Sequence, residues 1–351
     1  GGGGNDNLDG GNGNDVLSAG DGDDVVNGGS GVDTADFSAA SSAITVDLVA
    51  GTATGEGADT LLNIENITGG SADDLITGNT ESNTLQGGQG KDQLVGGGGN
   101  DNLDGGNGND VLSAGDGDDV VNGGSGVDTA DFSAASSAIT VDLVAGTATG
   151  EGADTLLNIE NITGGSADDL ITGNTESNTL QGGQGKDQLV GGGGNDNLDG
   201  GNGNDYLYSG DGDDLVHGGK GDDVIIGGDG RGDDTYQGGD GIDQLIYSSA
   251  ELHNVIINLR TGTATGVEIG NDSLTGIENV TAGHQDDKIT GDAKNNTIDG
   301  FSGVDSVYFQ GKRSEYTISR SNSTEIEIND SVGERDGKDT LLNVEYIVFM
   351  D

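Results

Sequence analysis

An all-β solenoid of short, stacked strands is the fold class the sequence predicts, and three observations carry the prediction. A nine-residue unit recurs along most of the chain with a carboxylate at its sixth place and an aliphatic residue at its eighth. The unit is itself part of a longer repeat, because residues 1–95 and 96–190 are identical letter for letter and a third copy begins at Gly191. Composition removes the alternative of a compact globular core: of 351 residues only 30% are apolar and 3% aromatic.

The first block, 1–36, reads "GGGGNDNLD", "GGNGNDVLS", "AGDGDDVVN" and "GGSGVDTAD". These lines stack Asp6, Asp15, Asp24 and Asp33 in one column and Leu8, Leu17, Val26 and Ala35 in another. A different kind of segment follows over 37–68, where Ile44, Val46 and Leu48 alternate with Thr45 and Asp47 as in a half-buried strand. It is expected to form wider coils spliced into the same solenoid. The nonapeptides resume over 69–131, the spliced segment recurs over 132–163, and the longest repeat block runs over 164–246 with a two-residue slip around Arg231–Asp234. An altered splice over 247–281 keeps Val255, Ile257 and Leu259 at the matching places, and a short block occupies 282–308. The remainder, 309–351, alternates at Tyr316 and Ile318 and again at Ile326 and Ile328, which predicts a β-hairpin cap of more conventional apolar character. Ten of the twelve basic residues lie after Lys186. The chain starts in the middle of a repeating unit and reads as part of something longer.

Physical chemistry explains the residue types. Glycines permit positive φ and close backbone approach, so "GGxGxD" is expected to be a turn and the three residues around the aliphatic one a very short strand. Two units then make one coil of a flattened solenoid, with the aliphatic column buried and the turns stacked into two edges lined by Asp side chains and outward carbonyl oxygens. Such an edge is an oxygen cage and suits a hard cation such as calcium, which takes about 6–8 oxygen ligands. One aliphatic side chain per nine residues, several of them glycine, is little to hold a chain whose stacked carboxylates repel. The chain is therefore expected to be disordered without calcium and to fold when the carboxylates are neutralised.

The charge balance points the same way. With 63 acidic against 12 basic residues the formal charge is -51, so nucleic acid and anionic membranes are poor partners and cations good ones. Cysteine is absent, which excludes disulfides and thiolate metal sites, and no apolar run approaches the roughly 18 residues of a membrane span. Catalytic constellations are missing too: His217, His253 and His284 are the only histidines, and neither HExxH nor GxSxG occurs. His217 falls at the outward ninth place of its unit and reads as a solvated surface side chain. The nine-residue register of the carboxylates argues for metal rather than for paired acid and base. Glu65, Glu160 and Glu278 read either as extra cation ligands or, more blandly, as solvated glutamates. Tyr206 and Tyr208, flanking Leu207 on the outward face, offer a platform on which a sugar could stack.

The tandem G-G-x-G-x-D-x-U-x units resemble the RTX family, the hemolysin-type calcium-binding repeats. The resemblance implies a right-handed parallel β-roll, loaded with calcium ions held between consecutive turns by turn carbonyls and the sixth-position Asp. Carried onto this chain, the ligand carboxylates implied are Asp6, Asp15, Asp24 and Asp33 in the first block, and Asp74, Asp92, Asp101, Asp110, Asp119 and Asp128 in the second. In the third they are Asp169, Asp187, Asp196, Asp205, Asp214, Asp223, Asp234 and Asp243, and in the last Asp287 and Asp305. Asn83, Asn178 and Asn296 depart from the pattern, so weak or absent sites are expected there. About ten to fifteen calcium ions follow if one sits between each stacked pair of turns. The resemblance also implies export of the unfolded chain by a type I machinery, an extracellular or cell-surface location, and an export signal near the C-terminus.

Two functional classes remain open at this point. In one, the chain is a structural spacer of a secreted or surface-adhesive protein, which exact duplication favours. In the other, it is the non-catalytic C-terminal module of a secreted protease, lipase or alginate epimerase, aiding export, folding or polysaccharide binding. A permanently disordered acidic calcium buffer is a third reading, against which the aliphatic column counts.

Overall fold

The computed structural model describes residues 1–227, 230, 232–247, 253–322, 324–333 and 335–350, and forms two compact units, Gly1–Ser166 and Ala167–Asp351. Among the described residues all regular structure is β except one 3-10 turn at Arg313–Glu315, and no helix is long and apolar enough to cross a membrane.

In the first unit the nonapeptides stack as expected. Strand Thr84–Gln89 pairs in parallel with Asn102–Asn107, which pairs with Val120–Ser125. On the opposite wall Leu75–Thr77, Gln93–Gly98, Val111–Asp116 and Thr129–Asp131 follow one another in the same way. Partners lie 18 residues apart, so one coil is two units. The eighth position faces inward from both walls: Leu85, Leu94, Leu103, Leu112, Val121 and Ala130 are fully buried. Seventh and ninth positions face out, since side chains alternate along a strand.

Two features differ from the sequence reading. Where one regular nonapeptide follows another the strands are six residues long, not three, because pairing continues through the glycine half of the next unit, as at Gly106↔Gly124 and Asn107↔Ser125; at the block ends, as at Leu75–Thr77 and Thr129–Asp131, they keep three. Main-chain groups alone make these pairs, and glycine at positive φ (Gly106, φ 101°) lets the ladder bend round the edge without breaking. Segment 37–68, moreover, gains its width from an antiparallel meander. Thr45–Asp47, Thr52–Thr54 and Ala58–Leu62 pair antiparallel, while the last joins Val25–Ser30 in parallel and the first joins Leu75–Thr77. The sheet thus passes through the insertion unbroken, with Ile44, Val46 and Ala53 in the core. Strands Thr140–Asp142, Thr147–Thr149 and Ala153–Leu157 repeat the arrangement.

The second unit continues the pattern through Leu180, Leu189, Leu198, Leu207, Val216 and Ile225, all buried. The slip read near Arg231 falls partly on residues 228, 229 and 231, outside the described ones. Its effect is a spacing of 20 rather than 18 residues between Asp214 and Asp234 and between Asp223 and Asp243. The altered splice is again a meander, Val255–Asn258, Thr263–Gly266 and Gly270–Thr275; residues 248–252 within the segment lie outside the described ones. Near the C-terminus Tyr316–Arg320, Glu325–Asp330 and Lys338–Leu342 pair antiparallel, and the last joins Thr297–Asp299 in parallel. Phe309, Tyr316 and Phe349 pack ring to ring at 5.0–5.7 Å there. Arg335 bridges Glu315 and Asp330 at 2.8 Å each, and Arg260 reaches Asp336 at 2.6 Å. Asp351, at the end of the expected export signal, lies outside the described residues.

Candidate functional site

Each edge of the roll carries a ladder of sixth-position carboxylates. The main-chain N–H of Asp74 donates to Asp92 Oδ1, that of Asp92 to Asp110 Oδ1, and that of Asp110 to Asp128 Oδ1, all at 2.7–2.8 Å. The other edge runs Asn83, Asp101, Asp119 in the same fashion. In the second unit the rows are Asp169, Asp187, Asp205, Asp223, Asp243 and Asn178, Asp196, Asp214, Asp234. The opening block gives Asp6 to Asp24 and Asp15 to Asp33, and the last one Asp287 to Asp305.

In each rung that follows another, one carboxylate oxygen is thereby committed to protein, and the other is the informative one. In fifteen of the twenty expected ligands (Asp15, Asp24, Asp33, Asp92, Asp101, Asp110, Asp119, Asp128, Asp187, Asp196, Asp205, Asp214, Asp223, Asp243, Asp305) Oδ2 is buried and meets no hydrogen-bond donor. A buried charged oxygen without a donor is costly, so each turn is incomplete as protein alone. The space beside it is shaped by glycine: a Cβ at first-position Gly105 would run into Asp110 Oδ2 and into the carbonyl oxygen of Gly123, the first residue of the next turn on that edge. Carboxylate and carbonyl oxygens converge there.

These fifteen share a second property. Every one has glycine two residues earlier, at the fourth position, with φ between 102° and 151°. Where another residue stands at that position the turn closes on itself. Asp74 Oδ2 accepts from Gly70 N–H (2.7 Å) beside Ala72, and Asp287 Oδ2 from Gly283 N–H (2.9 Å) beside Gln285. Asn83, Asn178 and Asn296 likewise accept from the N–H four residues back, of Asn79, Asn174 and Asp292. Asn83 and Asn296 also donate Nδ2 to the Glu65 and Glu278 carbonyls. Turns with asparagine at the sixth place are thus saturated by protein groups. Asp6, at the open first turn, is half-exposed.

Asp234 is satisfied differently, its Oδ2 accepting from the Tyr236 hydroxyl at 2.8 Å, while the Tyr247 hydroxyl donates to Asp272 Oδ2 at 2.6 Å. Phe37 and Phe132 make the main-chain bond in the earlier copies that Tyr247 makes here. Tyr247→Phe should therefore leave a buried carboxylate oxygen unpaired and lower stability by about 1–3 kcal/mol in saturating calcium, read by chemical denaturation; an unchanged midpoint would show that the hydroxyl is dispensable.

Sequence reasoning missed the rungs that lie outside the nonapeptides. Asp59, Asp154 and Asp272 accept from the N–H of Asp24, Asp119 and Asp234, and Asp339 from that of Asn296. Each follows glycine by two residues, as the sixth position follows the fourth, and that G-x-D remnant was the available signal. Glu65, Glu160 and Glu278 accept from Asp33, Asp128 and Asp243. They are rungs of the ladder, which replaces the solvated reading.

In ten of the sixth-position carboxyls burial is the largest cause acting and raises them, main-chain donors pull back, and for all but Asp196 neighbouring acidic residues raise them further. Asp92, Asp187, Asp214, Asp223 and Asp305 are pushed up to about 7. Asp101, Asp128, Asp196, Asp205 and Asp287 rise to about 6. Among the described residues no three acidic or histidine side chains converge, so a cation held here would draw most of its ligands from carbonyl oxygens. An all-oxygen set of this kind fits calcium and offers nothing to a softer metal. Outward-facing groups are as expected: His217 lies 3.3 Å from Asp199 and is half-exposed, and Lys186 sits 4.7 Å over the exposed Tyr206 ring.

A search of curated proteins finds no match to the chain. A family model described as RTX calcium-binding nonapeptide repeat (4 copies) matches residues 1–35, 68–103, 95–130, 163–198, 199–232, 208–245 and 282–311, more than half of the chain. The matched stretches are the ones that carry the donor-less carboxylates, and the gaps between them hold the meanders. The chain belongs to the RTX calcium-binding nonapeptide repeat family and is a calcium-binding structural module.

Proposed function

We propose that the chain is an extracellular spacer that is exported unfolded and becomes a β-roll when it meets calcium outside the cell. The observation that carries this reading is the row of fifteen buried Oδ2 atoms lacking a donor. A chain built this way is poorly stable where calcium is scarce and well stabilised where it is plentiful. Export through a type I machinery and a place in a secreted or surface-adhesive protein follow from the family resemblance, and the identity of residues 1–95 with 96–190 supports a spacer, whose length can change by whole repeats.

Far-UV circular dichroism during a calcium titration, with magnesium as control, tests the reading. A cooperative coil-to-β transition specific to calcium is expected. Full β structure in chelator at neutral pH, or disorder persisting in millimolar calcium, would reject it.

A further inference from the structure

Four times among the described residues the last glycine-bearing turn of a row faces not another such turn but a short stretch ending in glutamate: Asn63-Ile64-Glu65, Asn158-Ile159-Glu160, Gly276-Ile277-Glu278 and Asn343-Val344-Glu345. The first residue of each is left-handed, with φ of 51°, 51°, 66° and 50°. This turns its carbonyl oxygen over the first-position glycine of the preceding turn (Gly28, Gly123, Gly238, Gly300), beside the sixth-position Oδ2. A regular neighbouring turn puts its own first carbonyl in that place, as Gly123 does over Gly105. Two residues later the glutamate Oε2 accepts from the N–H of Asp33, Asp128, Asp243 or Asp305 at 2.7–3.0 Å, the bond that the next Asp makes elsewhere. Those four Asp residues are 0% exposed, and the Oδ2 of each lacks a donor. Half of a regular seat is therefore reproduced by a sequence that is not a nonapeptide.

The third instance differs in one side chain. Lys294 pairs its ammonium with Glu278 Oε1, and its charge also acts on Asp243. The residues at the matching places in the first two copies are Glu81 and Glu176, which bring no positive charge.

We propose that Glu65, Glu160 and Glu345 close a terminal divalent-cation seat with Asp33, Asp128 and Asp305, and that Lys294 supplies a tethered ammonium in the equivalent seat beside Asp243 and Glu278. The inference rests on the calcium reading above and extends it to ligands outside the repeat. The glutamate does two things there: Oε2 holds the Asp N–H, and the carboxylate charge completes the seat.

Calcium bound per full chain, counted by native mass spectrometry and equilibrium dialysis, tests it. Glu65→Gln with Glu160→Gln keeps an acceptor for the two N–H groups and removes the charge, so the count should fall by two while circular dichroism in saturating calcium stays unchanged. Lys294→Glu should raise the count by one, and this gain does not depend on how well the glutamine variant folds. An unchanged count in the glutamine variant, or no gain in Lys294→Glu, overturns the proposal while leaving the calcium reading intact. A parent chain that binds no calcium overturns both.

Discussion

Lowering the pH from 7.5 to 5 should move the metal-free and calcium-loaded chains in opposite directions. In the folded chain burial lifts Asp92, Asp187, Asp214, Asp223 and Asp305 to about 7, and Asp101, Asp128, Asp196, Asp205 and Asp287 to about 6. An unfolded Asp sits near 3.9. A raised carboxyl contributes stability that is fully present below the unfolded value and is lost as pH rises through the folded one. Between about pH 4 and pH 7 the folded metal-free chain binds more protons than the unfolded one, so acidification favours folding. In calcium the same protons compete for the same oxygens, and the ion is displaced as pH falls. In chelator the far-UV β signal should therefore grow from pH 7.5 to 5, while the calcium midpoint rises by about tenfold or more over that range. Calorimetry in buffers of different ionisation enthalpy should show protons released on binding at pH 6.5. A metal-free chain that loses β structure on acidification would mean that these carboxyls are solvated before calcium arrives.

The inward column was legible because its period is fixed: an aliphatic residue every nine positions has one way to face the core when two units make a coil, and Leu85 through Ala130 are buried as that register requires. The sixth-position carboxylates were legible for the same reason. What the main chain does alone was not. The extension of each strand through its Gly-Gly half leaves no side-chain mark, since Gly106↔Gly124 pairs through backbone groups. The rungs at Asp59 and Glu65 were hidden because a rung needs only a carboxylate within reach of one N–H, and both shorter and longer acids satisfy that from different backbones. The division between open and self-closed turns hangs on the fourth position. Alanine at 72 and glutamate at 81 cannot adopt the positive φ that glycine takes at 90 or 99 without strain, and their turns close on their own N–H groups instead.

Replacing Asp101 and Asp119 together should remove calcium from one edge of the second block and leave the other edge loaded. They are consecutive rungs: Asn83 N–H donates to Asp101 Oδ1, Asp101 N–H to Asp119 Oδ1, and Asp119 N–H to Asp154 Oδ1, at 2.7, 2.7 and 3.1 Å. Both carry a buried Oδ2 without a donor. The row Asp92, Asp110, Asp128 on the opposite edge shares no hydrogen bond with them. Asp101→Asn with Asp119→Asn keeps the Oδ1 acceptors and removes two negative charges, so the number of bound ions should fall by about two or three, one for each turn pair that loses a carboxylate. The alanine pair also strips the acceptors from two buried N–H groups, which adds about 1–3 kcal/mol per orphaned group. Hydrogen exchange should then lose protection over residues 83–121 in the alanine variant and keep it over 7–30. If the asparagine variant bound as many ions as the parent, these carboxylates would be rungs alone, and the cations would have to be held by carbonyl oxygens without them.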